Sequence, residues 1–335
     1  MRYGKQKNRK HAAPIVCVFL FACGSVALQG QTCTTQAEMS ATTRNALVVA
    51  SQKVSQSLLT ADSKTMQEEI APQVAADAAG ILSAMSDAAT KVKGATFTVD
   101  NLYALDATGL KPDETPARFY CGVFNRPEHV VLSFGALPQG QYALALIHAT
   151  GILNPQQIAA IFEDAKGQWK LAGFSFRPLT MDGHNSVWYW QQARAYAAKH
   201  ETWNAYFYFT TALYLSTPAE YLRSTNLDTL LQEQQSAQPA GLPGVQPMQL
   251  AANGQSFPIT KVETSDALGG LDLVIHYNVA DIKNLTEIRR QNTAVMQALL
   301  LAHPELKSAF HGMWVYVEAA GQSPFGIELP MTQIP

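Results

Sequence analysis

Two polar side chains on one predicted strand are the first candidates for chemistry in this sequence. Alternation along residues 142–150 gives the strand one face of larger, mixed side chains and one of small apolar ones. The larger face carries Tyr142, Leu144, Leu146, His148 and Thr150, and the other carries Ala143, Ala145, Ile147 and Ala149. In a pocket, His148 can act as a general acid or base and Tyr142 as a hydrogen-bond donor. A core histidine with a backbone partner fits the same pattern, and we favour that interpretation.

Sequence motifs for catalysis or metal binding are absent. The chain contains no HExxH or CxxC metal motif, no GxSxG nucleophile turn, no Walker-type phosphate loop and no GxGxxG dinucleotide loop. The seven histidines that follow residue 11 include no i, i+4 pair, the spacing that places two ligands on one helix face. The sequence therefore predicts no metal and no cofactor, and its catalytic residues stay unknown beyond the candidates Tyr142 and His148.

Aromatic side chains concentrate between residues 188 and 221, which hold eleven of the 31 in the chain. One interpretation is a platform on which the sugars of an envelope glycan stack. The other is a packed helical hairpin at 187–220, because the segment resembles the tetratricopeptide pattern. The residues at that spacing are Tyr189, Ala193, Tyr196, Ala205, Phe209 and Ala212. The pattern occurs once, so we predict an isolated hairpin and not a peptide-binding array.

The spacing of apolar residues predicts helices first and strands after them in the segments that position these residues. Helical propensity and apolar residues at three- and four-residue steps predict helices at 35–57 and 64–92, the second interrupted at Pro72. From residue 96 the period becomes two, which is typical of a meander of short antiparallel strands packed on helices. The predicted strands are 96–104, 117–124, 130–134, 142–150, 157–163 and 169–176.

A helical pattern returns at 185–235, and the proline- and glycine-rich segment 236–247 is the clearest linker in the chain. After it come predicted strands at 256–263 and 271–279, a helix at 282–302 capped by Asp281 and ended by Pro304, and strands at 313–319 and 325–329.

The predicted fold class is therefore α+β, with N-terminal helices on a curved antiparallel sheet, a helical hairpin and a C-terminal ββαββ unit. The expected divisions are a signal peptide at 1–30, the helices and sheet at 31–178, the hairpin at 179–235, the linker at 236–247 and the last unit at 248–335. We expect the parts on the two sides of the linker to fold separately.

Residues 158–174, IAAIFEDAKGQWKLAGF, form a predicted hairpin with an acidic turn, a glycine and a Trp-Lys pair. This hairpin resembles the closing hairpin of exported nuclear-transport-factor-like cone domains, the SnoaL-like or cystatin-like type. The resemblance covers about residues 60–178. It implies a strongly bent sheet whose concave side is filled by helices, and a ligand pocket, sometimes catalytic, at the mouth of the cone. No motif residue of that superfamily is carried over to this sequence.

The first thirty residues have the pattern of an export signal. Five cations within residues 2–10 precede an uncharged block of twelve residues at 12–23, which is too short to span a membrane. Ser25 and Ala27 offer the small residues of a signal-peptidase site. A second interpretation is a bacterial lipoprotein signal, because residues 20–23 resemble a lipobox with Cys23 as the acylated residue. Phe21 departs from that pattern, so we favour plain secretion.

Removal of this signal leaves two cysteines and an acidic chain. Cys33 and Cys121 remain, and in an oxidising compartment they can form a disulfide, but we favour the alternative of a cysteine in a frayed terminus and a buried thiol. Without the five cations, Lys and Arg fall from 24 to 19 against 26 Asp and Glu, which gives a net charge of −7. Such a chain has no electrostatic reason to bind nucleic acid or anionic lipid.

Two functions from different classes agree with these observations. The first is an exported bacterial envelope protein, periplasmic or extracellular, that binds an unknown small molecule or envelope protein without catalysis. The second is a small-molecule hydrolase or isomerase that uses a cone-shaped pocket lined by Tyr142 and His148. No run of apolar residues is long enough for a transmembrane span, so membrane anchoring requires lipidation of Cys23. We favour the binding protein.

We predict that the mature protein begins between residues 23 and 33 and is found outside the cytoplasm, because the basic segment and the uncharged block form a signal for export. Intact-mass measurement of protein from the periplasmic and membrane fractions tests this prediction. A mass that includes diacylglycerol on Cys23 would select the lipoprotein, and a cytoplasmic chain that retains Met1 would contradict export.

Overall fold

The computed structural model describes residues 32–111, 115–122, 128–267 and 269–335. The predicted signal peptide, with its cleavage site and the lipidation candidate Cys23, lies outside these ranges. Within them the chain forms eight helices and fifteen strands in mainly antiparallel sheets, so the predicted α+β class is confirmed. No helix in the described part of the chain is long and apolar enough to cross a membrane.

The described chain begins with β1 (Thr32–Thr35), α1 (Ala41–Thr60), α2 (Ser63–Glu68) and α3 (Ala79–Lys91). The first helix starts at residue 41 and not at the predicted residue 35, because β1 pairs with the next strand and Ser40 caps the helix. The Ser40 hydroxyl accepts a hydrogen bond from the Thr43 amide. The long helix predicted around Pro72 is divided into α2, a 3-10 turn and α3, since proline lacks an amide donor.

All six strands predicted for the first half are present. They are β2 (Thr96–Asp106), β3 (Ala117–Gly122), β4 (His129–Phe134), β5 (Gln141–Thr150), β6 (Gln156–Asp164) and β7 (Trp169–Pro178). They do not form one meander, because β3 and β4 leave the large sheet, whose order is β1-β2-β5-β6-β7. Two β-bulges, one in β2 and one between β6 and β7, bend this sheet.

The middle of the chain contains the predicted helical hairpin. Its elements are β8 (Thr180–Met181), β9 (His184–Asn185), α4 (Ser186–Ala198), α5 (Thr202–Ser216), β10 (Leu222–Ser224) and α6 (Thr225–Ser236). Asn185 caps α4 by accepting a hydrogen bond from the Trp188 amide. Strand β10 pairs with β4 and completes a three-stranded sheet of order β10-β4-β3.

The C-terminal part contains the predicted ββαββ unit with one additional strand. Its elements are β11 (Met248–Ala252), β12 (Gln255–Ser265), β13 (Asp272–Asn278), α7 (Leu285–Ala302), α8 (Leu306–Ala309), β14 (Gly312–Glu318) and β15 (Phe325–Pro330). The strands form one sheet in sequence order, with β13 and β14 parallel because α7 crosses between them. Helix α7 begins three residues later than predicted, because Asn284 and not Asp281 caps it.

The large sheet is covered on both faces. Its alanine-rich face, which includes Ala143, Ala145 and Ile147, packs on α1 and α3 in one hydrophobic core. Small side chains on this face let the helices approach closely. The opposite face, which includes Tyr142 and Leu144, packs on β3 and β4 in a second core. The alternation predicted for β5 is therefore correct.

A third core extends from residue 181 to residue 334 and combines the aromatic hairpin with the C-terminal sheet. Within it, the Tyr208 hydroxyl of α5 donates to the carbonyl oxygen of Ala309 at 2.6 Å. The predicted linker at 236–247 does not separate two cores, since Ala237 and Leu242 pack against this one. The second core also takes in Ala219, Leu222 and Leu227 from the segment after α5, while the apolar face of the C-terminal sheet has the hairpin as its cover.

A disulfide joins Cys33 in β1 to Cys121 in β3, with their Cα atoms 5.1 Å apart. Cys33 and Cys121 are therefore disulfide-bonded in the structure and are not two separate thiols. The bond spans 88 residues of sequence, and closing such a loop stabilises the fold by about 4–5 kcal/mol in the chain-entropy model. It ties the edge strand of the large sheet to the three-stranded sheet.

We predict that Phe209→Ala lowers the free energy of unfolding by about 3–5 kcal/mol, the usual cost of removing a buried phenylalanine from a core. Phe209 is only 2% exposed, whereas Tyr214 on the same helix is 41% exposed. Tyr214→Ala is the matched control, and we expect a much smaller loss. Chemical denaturation measures both. Equal stability of Phe209→Ala and the wild-type protein would restore the hypothesis that these rings form a sugar platform.

Candidate functional site

Tyr142 and His148 lie on the same face of β5 but do not converge. Six residues of extended strand separate them, which corresponds to about 20 Å. Tyr142 is 3% exposed, and burial, assisted by the charge of Glu163, raises its pKa to about 12. It therefore stays protonated at neutral pH and can donate a hydrogen bond but cannot act as a base. His148 is half-buried, between Thr98 of β2 and Gln157 of β6.

A cleft of about 790 Å³ lies between the large sheet and the C-terminal unit. Its lining includes Lys91, Asn154 and Gln156 from the first half and Glu263, Ser265 and Asp266 from the second. Gln156 is 3% exposed, and its amide nitrogen donates to the carbonyl oxygen of Asn154 at 2.8 Å. Neither Tyr142 nor His148 lines this cleft. Its size falls in the range of ligand pockets, and such pockets are common between structural units.

The C-terminal sheet has one apolar face and one polar face. Leu273, Ile275, Met313 and Val315 point into the third core, so their alternating neighbours lie on the side opposite the hairpin. We call this side the open face and define it by Lys261, Glu263, Asp272, His276, Trp314, Tyr316, Glu318 and Glu328. The side chains of Lys261, Glu263 and Glu318 are 41–59% exposed.

Three rings form a row across the open face. The rings of Trp314 and Tyr316 are parallel within 4°, with their centroids 5.7 Å apart. The rings of Tyr316 and His276 follow at 5.4 Å and 17°. Gly326 lies opposite Tyr316 on β15, where a Cβ atom would come within 2.6 Å of the tyrosine ring. Glycine at this position lets the ring lie close to the neighbouring backbone.

Carboxylates hold both ring nitrogens of His276. Its Nδ1 lies 2.9 Å from Glu318 Oε1, and its Nε2 lies 3.2 Å from Glu263 Oε1. An ionised carboxylate only accepts hydrogen bonds, so both contacts are hydrogen bonds only when both nitrogens carry a proton. Glu263 also lines the cleft. The cleft and the open face are therefore continuous at this residue.

A second group of titratable side chains lies at the other end of the ring row. Asp272 is fully buried, and its Oδ1 lies 3.0 Å from His311 Nδ1. Its Oδ2 accepts a hydrogen bond from Trp314 Nε1 at 3.1 Å. One ligand atom each from Asp272, His311 and Glu328 lie within 4.8 Å of one another, which is close enough to hold a metal ion.

No sequence motif points to this group of side chains. Asp272 and His311 are 39 residues apart, and no short motif contains both. They meet because β13 and β14 are parallel neighbours, so the beginnings of the two strands lie side by side. The sequence signal that could have revealed this group is the predicted strand–helix–strand order. In that order the two strands are parallel neighbours, and their first residues lie side by side.

Comparisons of the chain with protein-family models, with curated proteins and with solved structures found no match. The resemblance of residues 60–178 to cone domains therefore stays a prediction.

We predict that Glu163→Gln makes the protein relatively more stable as the pH rises from 4 to 7. Glu163 is 4% exposed and lies opposite Tyr142 on β6. Burial raises its pKa above the ordinary value of 4.5, although a hydrogen bond from Gln73 opposes this shift. The stability that the raised pKa contributes is full below the unfolded-state pKa and is lost as the pH rises through the folded-state pKa.

Glutamine cannot ionise, so the variant does not suffer this loss. Thermal unfolding at pH 4, 5.5 and 7 should show that the melting temperature of Glu163→Gln increases relative to the wild-type value along the series. Glu220→Gln, whose side chain is 91% exposed, is the control and should follow the wild type. A difference between Glu163→Gln and wild type that stays constant with pH would show that burial does not affect this carboxyl.

Proposed function

We propose that this chain is an exported bacterial envelope protein that binds a partner without catalysis, and that the partner presents a cationic segment to the open face. The proposal of export is supported by the basic segment followed by an uncharged block at the N-terminus. It is also supported by the disulfide between Cys33 and Cys121, since such bonds persist in oxidising compartments.

The observation that carries the binding proposal is the row of parallel rings flanked by carboxylates. The faces of tryptophan and tyrosine rings attract ammonium and guanidinium groups by about 0.5–2 kcal/mol. Glu263 and Glu318 lie at one end of the row, and Glu328 lies at the other beside the fully buried Asp272. Aromatic faces together with carboxylates suit arginine or lysine side chains of a partner.

The charge of the open face also favours a cationic partner segment. Among its eight residues four are carboxylates and one is an ammonium group, Lys261, which is paired with Glu263 at 2.6 Å, and His276 adds a second cation when both its nitrogens carry a proton. The mature chain is acidic as a whole, with 19 Lys and Arg against 26 Asp and Glu. Complementary charge accelerates association and selects a partner more than it adds affinity.

The cleft extends this surface. Ser265 lies opposite Asp272 in the strand register, and Glu263 belongs to both the cleft and the open face. An extended segment bound along the ring row can therefore continue past β12 into the cleft. There it meets the polar side chains of Asn154 and Asp266.

The alternative of a hydrolase or isomerase that uses Tyr142 and His148 receives less support. Such an enzyme needs the two side chains to converge on one substrate. Tyr142 instead packs in the core between the large and the three-stranded sheets, six residues along β5 from His148.

Binding of short synthetic peptides to the mature protein tests the proposed function. We expect an arginine–glycine peptide to bind, with an affinity that decreases as ionic strength increases, and a glutamate–glycine peptide of equal length not to bind. Tyr316→Ala should weaken binding about 3- to 10-fold by removal of one ring face.

Tyr120→Ala is the matched control, because Tyr120 is 65% exposed and lies on β3 in the three-stranded sheet. It should bind as the wild type does. Equal binding of both peptides, or equal weakening by Tyr316→Ala and Tyr120→Ala, would contradict a cation site on the open face.

A further inference from the structure

We infer that Asp272, His311 and Glu328 form a binding site for a divalent transition-metal ion of the zinc class. The inference does not depend on the proposed peptide binding, because it concerns one end of the open face and a different kind of ligand. It rests on the donor set, on the burial of Asp272 and on the elements that fix the three side chains.

The donor set is one imidazole nitrogen and two carboxylate oxygens. Zinc binds these groups at about 2.0–2.2 Å, and sites with three protein ligands leave a position for water. Two ligands of one ion at such distances lie about 3–4 Å apart. Asp272 Oδ1 and His311 Nδ1 are already 3.0 Å apart, and the half-buried Glu328 offers a carboxylate oxygen within 4.8 Å of a ligand atom of each of the two residues.

Burial makes a cation favourable at this position. Asp272 is fully buried, and a buried carboxylate is costly unless a positive charge or several hydrogen bonds compensate it. The ion-pair partner of Asp272 within the described residues is His311, which is a cation only when protonated. A metal ion supplies that charge permanently, and it also relieves the repulsion between the carboxylates of Asp272 and Glu328.

The surrounding backbone holds the ligands in place. His311 donates its amide hydrogen to the carbonyl oxygen of Leu271, and its own carbonyl oxygen accepts from the amide of Met331, so it is fixed between two neighbouring chains. Trp314 Nε1 orients the Asp272 carboxylate by a hydrogen bond to Oδ2, the kind of outer contact that positions metal ligands.

Two glycines leave room for this arrangement. A Cβ atom at Gly312 would lie 2.9 Å from Glu328 Oε1 and 3.0 Å from Asp272 Oδ1. A Cβ atom at Gly270 would lie 2.4 Å from the His311 side chain. A larger residue at either position would push the ligands apart.

His276 provides an internal comparison. It also contacts two carboxylates, but each of its ring nitrogens faces a different one, Glu318 or Glu263. No nitrogen is left for a metal unless a contact breaks. At His311 the Nδ1 atom makes the contact with Asp272, while the side chain is 45% exposed and the ion can be reached from solvent.

Zinc titration of the mature, chelator-treated protein by calorimetry and native mass spectrometry tests the inference. We expect one Zn²⁺ per chain, a melting temperature that rises with zinc concentration, and no competition from equal concentrations of Mg²⁺. Glu328→Gln and His311→Gln should each weaken zinc binding at least tenfold. Both side chains are partly exposed, so these variants keep the fold, and circular dichroism melts verify this.

His276→Gln is the matched control and should bind zinc as the wild type does. The inference is overturned if the wild-type chain binds no stoichiometric zinc, if Glu328→Gln and His311→Gln bind it unchanged, or if His276→Gln loses it instead. Because no peptide is present, a negative result here leaves the proposed partner binding unaffected, and failure of peptide binding leaves the zinc result unaffected.

Discussion

The burial of helix α5 is the interaction on which the rest of the structure depends. Its aromatic residues fill the space between α4 and the C-terminal sheet, and the Tyr208 hydroxyl satisfies the carbonyl oxygen of Ala309 at the end of α8. The last turn of the same helix contacts the first half of the chain, where the Leu215 carbonyl oxygen accepts a hydrogen bond from Gln157 of β6 at 2.5 Å. One helix therefore supports the C-terminal sheet and positions it against the large sheet.

The cover over one face of the C-terminal sheet determines where its polar side chains lie. Once the hairpin and α7 cover one face of the C-terminal sheet, the period of two in its strands directs every second side chain to the other face. Asp272, His276 and Trp314 lie there because Leu273, Ile275 and Met313 are needed in the core. In the large sheet, helices cover one side, and the three-stranded sheet packs on the other side at the Tyr142 end of β5. The Tyr142 end of the mixed face of β5 consequently lines a core and not a pocket.

The limits of sequence-based prediction follow from this organisation. Strands and helices were predictable because their periods are local, and the burial of Tyr189 and Phe209 followed from helix-pair spacing. The departure of β3 and β4 from the large sheet was not predictable, because β4 pairs with β10 about ninety residues later. The core that residues on both sides of 236–247 share was not predictable for the same reason, because its contacts join residues far apart in sequence. Asp272 and His311 meet only through the parallel pairing of β13 and β14, which no local spacing reveals.

The disulfide gives the same polypeptide two different stabilities, one before oxidation and one after it. Before oxidation, the chain lacks the contribution of about 4–5 kcal/mol that closure of the 88-residue loop provides, which is a large part of the net stability of an ordinary domain. Cys33 lies only a few residues beyond the predicted cleavage site, so in the proposed mature chain the bond anchors the N-terminus. For the export proposed above, this means that the reduced chain is easier to keep unfolded during translocation, and that oxidation afterwards stabilises its fold.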